Sequence, residues 1–557
     1  MRGVGGKMIL LVGALTLALA IAGSGVAAHY EQAAPQAGGT LIFGTGADPA
    51  FLDGAVISDA ESSRVLTQIT ETLVTLKPGT TKVIPLLAKS WKSIGAKTWI
   101  FNLRHGVKFQ DGTPFNAAAV CYNFNRWYNF SGPFQDPDAT YYWQAVFGGF
   151  HHNESPDLSP SIYKSCSARG KYTAIVKLTK PYGPVLPALT LTPFAIASPT
   201  ALKKYGADQA AIKNGLFTLT GSYGFSHPTG TGPYKFKSWT VGQSLEVDAN
   251  PSYWGKKPKL ARIIFRPVGD STARLQALQS GDLQGMDYLA PNDTSTVRSS
   301  GKFKVLTRPQ VDLGYVTINS AQAPTDKLLV RKAIAYGLDR QGVVNAFYGG
   351  RGVVATQFLP PSFFGYAKNV TKYSFNPDKA KSLLRQAGLS PPVKIDFWYP
   401  TNVTRPYMPN PKGIFEAFAA SLEKSGFQVV PHSAPWRPDY LKRVDNGTAG
   451  NLNLVGWIPD YGDPDDWLGV FFKTFSAQFG FHDNHLFSLL QKAASVPGIK
   501  VRTKLYQQAN RYIMGNLLPG VPYVYTGSAL AFDKNIRGFI PSPTQTEFFN
   551  LVSVGGR

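Results

Sequence analysis

The sequence predicts an α/β protein with more than one domain. Strand and helix patterns alternate between residues 393 and 457, as they do in a parallel sheet. In the first third of the chain, short segments of alternating residues such as Thr98–Leu103 predict strands separated by turns. The chain has 557 residues, of which 43% are apolar and 13% aromatic. That composition supplies large packed cores, excludes intrinsic disorder, and at about 150 residues per domain indicates three to four domains.

Helix signals begin in the second half of the chain. Asp326 is a candidate N-cap for a helix with apolar residues at every fourth position, ending near Gly349-Gly350. A second helix has clear boundaries, because Asn376 can cap it, Pro377 suits its first position and Gly388 can end it.

The following stretch predicts an α/β lobe with parallel strands. Its elements are a strand at Val393–Tyr399, a helix at Pro411–Gly426, a strand at Phe427–Val430, a short helix from Pro438 and a strand at Leu452–Trp457.

The chain is basic, but the charge is dispersed. Lys and Arg number 57 against 34 Asp and Glu, giving +23. The densest basic stretch is only Lys256, Lys257 and Lys259, which is unlike the continuous stripe of a nucleic-acid groove. We therefore expect no nucleic-acid partner, although the charge favours peripheral attachment to an anionic membrane or cell wall.

The N-terminus has the features of an export signal. Arg2 and Lys7 precede the apolar run Met8–Ile21, and small residues follow, so residues 1–28 are predicted to be a cleaved signal peptide. The run is shorter than the roughly 20 apolar residues that a membrane anchor needs. A linker rich in Gln, Ala, Pro and Gly follows at 29–37.

The sequence has two cysteines, Cys121 and Cys166. In an exported protein they are predicted to form a disulfide, whose loop of about 45 residues would contribute about 4 kcal/mol. Two free buried thiols are the alternative. Because no cysteine precedes Cys121, we expect a periplasmic, extracellular or cell-surface protein without a lipid anchor.

The usual enzyme motifs are absent from the sequence. The sequence contains no G-x-S-x-G elbow, no H-E-x-x-H helix and no P-loop. Histidines and acids cluster at 151–157 and 482–485, but in loop sequence and without helical i, i+4 spacing. We therefore predict no metal site, no cofactor and no enzymatic activity.

Two opposite charges follow predicted parallel strands, at the sheet edge where ligands of α/β proteins bind. Arg405 follows the strand 393–399, and Asp460 follows the strand ending at Trp457, whose ring can exclude water. The ends of a dipeptide lie about 7 Å apart, comparable with one or two strand spacings of about 4.8 Å. The alternative is a structural ion pair between Asp460 and Arg405.

A series of short motifs occurs in order along nearly the whole mature chain. They are Glu71-Thr72-Leu73-Val74, Pro85-Leu86-Leu87-Ala88 before Ser90-Trp91, Leu103–Phe109 before Asp111-Gly112-Thr113-Pro114, Thr231-Gly232-Pro233-Tyr234, Asn250-Pro251 with Tyr253-Trp254, Leu275–Asp282, Val330–Ile334 with Leu338-Asp339-Arg340, and Gly456-Trp457 with Asp460-Tyr461 and Asp463-Pro464. In this series the sequence resembles family 5 of the extracytoplasmic solute-binding proteins of ABC transporters, specifically its dipeptide- and oligopeptide-binding group.

The resemblance implies a periplasmic binding protein fold of type II, with two α/β lobes joined by a two-strand hinge and an extra inserted domain. The domains expected on this basis are lobe I at 38–75, 196–310 and 525–557, the inserted domain at 76–195 and lobe II at 311–524.

The resemblance also assigns ligand-binding roles. Asp460 of the G-W-x-x-D motif would hold the peptide ammonium, and Arg405, in a segment that also carries Tyr407, would hold the carboxylate. Gly456 and Ile458 would pair with the peptide backbone, beside Trp457.

The expected protein is a monomeric receptor that closes on a short peptide, primarily a dipeptide, and delivers it to a membrane permease. Another solute on the same scaffold is the alternative: a nickel chelate, haem, glutathione, an oligosaccharide or a signalling peptide. Outside this class, a secreted hydrolase and a surface adhesin stay open.

Overall fold

The computed structural model describes residues 38–555. The predicted signal peptide at 1–28 and the linker at 29–37 lie outside this range. None of the helices within it has the length and apolar character required to cross a membrane.

The secondary structure is mixed throughout the described range. The strands are β1 (Thr40–Thr45), β2 (Val74–Leu76), β3 (Val83–Pro85), β4 (Ala88–Ile94), β5 (Thr98–Leu103), β6 (Tyr163–Ala168), β7 (Thr173–Leu178), β8 (Ala210–Lys213), β9 (Leu216–Leu219), β10 (Tyr234–Thr240), β11 (Ser244–Ala249), β12 (Arg262–Pro267), β13 (Gly285–Leu289), β14 (Phe303–Thr307), β15 (Asp312–Ile318), β16 (Val393–Thr401), β17 (Phe427–Pro435), β18 (Leu452–Trp457), β19 (Gly520–Thr526), β20 (Ala529–Asp533), β21 (Ile536–Arg537) and β22 (Ser553–Val554). The helices are α1 (Ala60–Ile69), α2 (Ala117–Tyr128), α3 (Tyr141–Phe147), α4 (Val185–Ala188), α5 (Pro199–Lys204), α6 (Tyr223–Ser226), α7 (Ser271–Ser280), α8 (Thr294–Ser299), α9 (Leu328–Gly337), α10 (Arg340–Phe347), α11 (Pro377–Gln386), α12 (Pro411–Lys424), α13 (Leu441–Asp445), α14 (Leu468–Phe472), α15 (Asn484–Ser495) and α16 (Ile499–Tyr512).

Three larger sheets organise the molecule. A seven-stranded sheet has the order β10-β11-β12-β1-β13-β20-β14, and a five-stranded sheet has the order β17-β16-β18-β15-β19. A four-stranded antiparallel sheet, β4-β5-β7-β6, is built entirely from the chain between β3 and α4. The predicted α/β class is confirmed, whereas the boundaries predicted for the domains stay predictions.

The chain crosses twice between the seven-stranded and the five-stranded sheet, from β14 to β15 and from β19 to β20. The crossings lie side by side, because the Arg308 amide donates to the Ser528 carbonyl at 2.9 Å and Asp312 pairs with Thr526. The two-strand hinge implied by the resemblance is therefore present.

A buried ionic network fixes the hinge to the seven-stranded sheet. Arg308 is paired with Asp287 and Glu547, each at 2.6 Å, and Arg64 is paired with Asp287, Glu547 and Glu61. Burial alone would raise the pKa of Asp287, but the Arg308 and Arg64 charges hold that pKa below its usual range.

The stretch between 393 and 457 folds as the periodicity predicts. β16 runs parallel to β17 and to the first part of β18, with α12 between β16 and β17. Asn376 and Asn410 cap α11 and α12 by accepting hydrogen bonds from amides three residues later.

The helix expected from Asp326 to Gly349 is instead two helices. α9 ends at Gly337, and Asp339 then caps α10 by accepting a hydrogen bond from the Gly342 amide. The apolar spacing continues through the break, so the pattern concealed it. Asp326 caps neither helix.

The disulfide between Cys121 and Cys166 is confirmed. It joins α2 to β6, with a Cα–Cα distance of 5.0 Å. It therefore ties a helix to the edge strand of the four-stranded sheet, next to a core rich in aromatic side chains.

Candidate functional site

The centre of the candidate site is the second half of β18. β18 pairs with β15 along its whole length, but its register with β16 covers only Leu452 and Asn453. Beyond that point β16 continues beside β17 as far as Thr401. Val455 to Trp457 therefore have an edge that faces away from β15 and can accept another extended chain.

Gly456 lies where the sheet closely approaches an aromatic ring. A Cβ atom at this position would lie 2.2 Å from a Tyr407 ring carbon and 2.4 Å from the Leu313 carbonyl oxygen. Only glycine fits here, and its presence lets Tyr407 cover this part of β18.

Asp460 follows β18 by three residues and is held from two sides. One carboxylate oxygen accepts a hydrogen bond from the Tyr142 hydroxyl of α3 at 2.8 Å. The Asp460 amide donates to the Asp466 carboxylate, also at 2.8 Å. Burial raises the pKa of Asp460 to about 6, and the hydrogen bond from Tyr142 opposes that rise.

Asp466 forms a second acidic group behind Asp460. One of its oxygens accepts the Asp460 and Tyr461 amides, and the other has no hydrogen-bond partner within residues 38–555. Burial and the charge of Asp460 raise the pKa of Asp466 well above its usual range, although the hydrogen bonds from the Tyr461 and Asp460 amides oppose that rise. A half-buried and a buried carboxyl so close together favour a retained proton in mildly acidic solution.

Arg405 lies beyond the end of β16, in a tight turn closed by reciprocal backbone hydrogen bonds with Met408. Its guanidinium lies 5.4 Å from the centre of the Trp436 ring. Next to it, the Tyr407 carbonyl accepts hydrogen bonds from the Tyr348 and Tyr523 hydroxyls at 2.6 and 2.7 Å. This part of the segment is therefore fixed, while the Arg405 side chain is only half-buried.

The structure places Asp460 and Arg405 after the carboxyl ends of β18 and β16, at the end of the five-stranded sheet where these two parallel strands terminate. Within residues 38–555 neither carboxylate nor guanidinium takes part in an ion pair, so the alternative of a structural bridge between them is not formed. Trp457 and Ile458 are half-buried beside the open edge of β18.

Sequence reasoning missed the contribution of α3 and of the chain beyond β7. Tyr142 reaches Asp460 from 318 positions away in sequence, and Tyr182 donates to Asp465 at 2.7 Å in the same acidic loop. No local pattern distinguishes these tyrosines from others in the chain. Only the tertiary fold brings them to the site.

Residues of the two histidine clusters contact aromatic rings or cap a helix. The His151 ring lies near Tyr128, the His485 ring lies near Tyr512, and Asp483 caps α15. Among the described residues no group of three or more His, Cys, Asp or Glu side chains could hold a metal ion.

Comparisons with known proteins agree on a single family. The model of the bacterial extracellular solute-binding proteins, family 5 Middle, matches residues 82–479. The dipeptide-binding protein of Escherichia coli is 29% identical over 562 residues, covering 97% of this chain and 98% of that protein. Heme-binding protein A of Haemophilus influenzae is also 29% identical, over 99% of this chain and 100% of that protein.

Solved structures show the same architecture. The ABC transporter-associated periplasmic binding protein DppA of Helicobacter pylori, in complex with the peptide STSA, superposes with a TM-score of 0.74 at 27% identity, covering 93% of this chain and 98% of that one. A match of this extent shows a shared fold from the first sheet to the last. With the family model covering most of the sequence, the chain belongs to the bacterial extracellular solute-binding proteins of family 5.

Proposed function

We propose that this protein is an exported, non-enzymatic receptor that captures short peptides, primarily dipeptides, and delivers them to the membrane permease of an ABC importer. Relatives named as dipeptide- and di/tripeptide-binding proteins support the ligand class. We further propose that it acts as a monomer outside the cytoplasm, with lobe I at 38–75, 196–310 and 525–557, lobe II at 311–524 and the inserted domain at 76–195.

The observation that carries the proposal is the pair of opposite charges at one sheet edge. In this proposal the Asp460 carboxylate binds the peptide ammonium, and the Arg405 guanidinium binds the peptide carboxylate. Between them, Gly456 and Ile458 offer backbone groups to an added strand. Because backbone and termini provide most of the contacts, such a site accepts peptides of many sequences.

Closure is supported by contacts of α3 and of the chain beyond β7 with the acidic loop after β18 and with α15. Tyr142 donates to Asp460, Tyr182 donates to Asp465, and the Gly183 amide donates to the Ala494 carbonyl at 2.7 Å. A peptide ammonium would share the Asp460 carboxylate with Tyr142, so ligand binding and domain closure would use the same group.

Capping the ends of a dipeptide tests the proposal. Calorimetry should detect stoichiometric binding of Ala-Ala and at least a tenfold loss of affinity for N-acetyl-Ala-Ala and for Ala-Ala amide, because each cap removes one charge. Equal affinity for the N-acetylated peptide would contradict the role of Asp460. Hydrolysis of Ala-Ala by the purified protein would instead support the hydrolase alternative.

The affinity for Ala-Ala should depend on pH in two directions. Since Asp460 must be ionised and its pKa is about 6, affinity should fall about tenfold per pH unit below that value. Above about pH 8 the peptide loses its own ammonium proton, so affinity should fall again. Calorimetry between about pH 4.5 and 9 checks this. An affinity that stays constant down to about pH 4.5 would exclude Asp460 as the ammonium partner.

A further inference from the structure

Positive charge that is dispersed along the sequence gathers on the four-stranded sheet β4-β5-β7-β6. The two hairpins of this sheet, 88–103 and 163–178, contain no Asp or Glu. They carry seven cationic residues, which are Lys89, Lys92, Lys97, Lys164, Arg169, Lys171 and Lys177. All seven are exposed, and none of them forms an ion pair within residues 38–555. The sheet is therefore a strongly basic element whose charge is not neutralised by ion pairing.

One face of this sheet is buried and the other is open, because side chains alternate along each strand. Trp99, Phe101 and Val176 belong to the aromatic core on the buried face, where α2 packs against β6 and β7. The pairing register places the opposite set of side chains on the open face, among them Lys92, Ile94, Thr98, Ile100, Ile175 and Lys177. None of these six is buried by any part of residues 38–555. The open face is therefore exposed to solvent.

The open face is broad and carries its cations at separate points. Its four strands span about 14 Å, and each strand is about 20 Å long. Lys92 and Lys177 lie on β4 and β7 with β5 between them, so they present two charges side by side rather than along a groove. The register assigns only Ser, Thr, Asn, Ile and Lys residues to this face, so it has no aromatic ring on which nucleic-acid bases could stack. Such a surface fits an extended anionic layer better than a single anionic strand.

Aliphatic side chains accompany the lysines on the open face. Ile94, the last residue of β4, is 54% exposed and lies two positions after Lys92 on the same face. Ile100 and Ile175, which follow Lys92 across the sheet, are only half-buried. A soluble polyanion offers no apolar surface to such side chains, whereas a bilayer offers phosphates to lysine and the boundary between headgroups and acyl chains to isoleucine. Lysines beside exposed aliphatic residues therefore favour a lipid surface.

We infer that the open face of the sheet β4-β5-β7-β6 docks the protein on a membrane whose surface is rich in anionic phospholipid. Lys92 and Lys177 contact lipid phosphates, the cations at the strand ends and turns add longer-range attraction, and Ile94 enters the interfacial layer. None of the residues proposed to bind the peptide belongs to this sheet. Membrane docking and ligand capture are therefore separate functions that can be tested separately.

Flotation of the exported protein with lipid vesicles tests this inference. We expect binding to vesicles of phosphatidylcholine and phosphatidylglycerol in equal parts, and at least tenfold weaker binding to phosphatidylcholine alone. Lys92→Glu combined with Lys177→Glu should weaken binding to the anionic vesicles at least tenfold. Raising NaCl from about 0.05 to about 0.5 M should release the wild type, because exposed charges are screened. Ile94→Ser should weaken vesicle binding about threefold and leave binding to soluble inorganic polyphosphate unchanged.

Lys379→Glu combined with Lys424→Glu is the matched control, because it makes the same change of net charge at exposed lysines of α11 and α12. This control should bind the anionic vesicles within about twofold of the wild type. All variants share the wild-type N-terminus, so residues 1–37 cannot account for a difference, and circular dichroism checks that each variant is folded.

Three results would overturn the docking surface and leave the peptide receptor standing. If the control loses as much affinity as the Lys92 and Lys177 variant, net charge determines binding and the sheet face does not. The inference is equally wrong if the wild type does not bind the anionic vesicles, even where it binds polyphosphate. It is also wrong if Ile94→Ser leaves vesicle binding unchanged.

Discussion

Replacing Asp460 by asparagine should weaken Ala-Ala binding by about 2–5 kcal/mol, or roughly 30-fold to several thousandfold. The peptide ammonium would be desolvated against a neutral amide, and Tyr142 could still donate to that amide without restoring the lost charge. Calorimetry measures the loss. Asp282→Asn, at an exposed acid beyond α7, is the control and should bind like the wild type.

The same substitution should not destabilise the fold. The charge of Asp460 adds to the burial that raises the pKa of Asp466, so removing the Asp460 charge relieves repulsion on Asp466. Chemical denaturation should therefore give an unchanged or increased free energy of unfolding. Near wild-type affinity in a well-folded Asp460→Asn protein would exclude the assigned ammonium site.

Replacing Arg308 by methionine should produce the largest loss of stability, about 3–5 kcal/mol. Arg308 is 2% exposed and compensates Asp287 and Glu547 at the hinge. Without it, Arg64 alone would face three buried carboxylates, those two and Glu61. The effect is measured as the shift in the midpoint of the denaturant unfolding transition that involves the seven-stranded sheet.

Arg262→Met is the matched control for this change. Arg262 also contacts two acids, Glu246 and Asp248, but its side chain is 31% exposed. Water already solvates this network, so its loss should cost less than about 1 kcal/mol. If both substitutions destabilise the protein equally, burial does not determine the contribution of the hinge network.

Periodicity and capping residues predicted the part of the fold where local signals are strong. Asn376, Pro377 and the alternation of apolar residues located the elements between α11 and β18 closely. The break after α9 was not predictable in this way, because Leu338 continues the apolar spacing while Asp339 begins a new cap. The spacing of apolar residues indicates which face of a helix is buried, but it does not indicate whether the helix is continuous.

The charges of the candidate site were accessible from the sequence because strand ends define the ligand edge of a parallel sheet. Arg405 and Asp460 each follow a recognisable strand. Tyr142 and Asp466 were not accessible, since their roles arise from contacts that secondary structure does not specify. The family resemblance supplied the two-strand hinge, which no local pattern indicates.

The paired crossings at Arg308 and Ser528 have a consequence for the proposed delivery to a membrane permease. Adjacent, hydrogen-bonded linkers restrict the relative movement of the bodies they join to a swing about one axis. A transporter that contacts both bodies would then detect the bound ligand as a change in the distance between its two contact points, without contacting the ligand itself. Ligands of different chemistry could in this way produce the same conformational change.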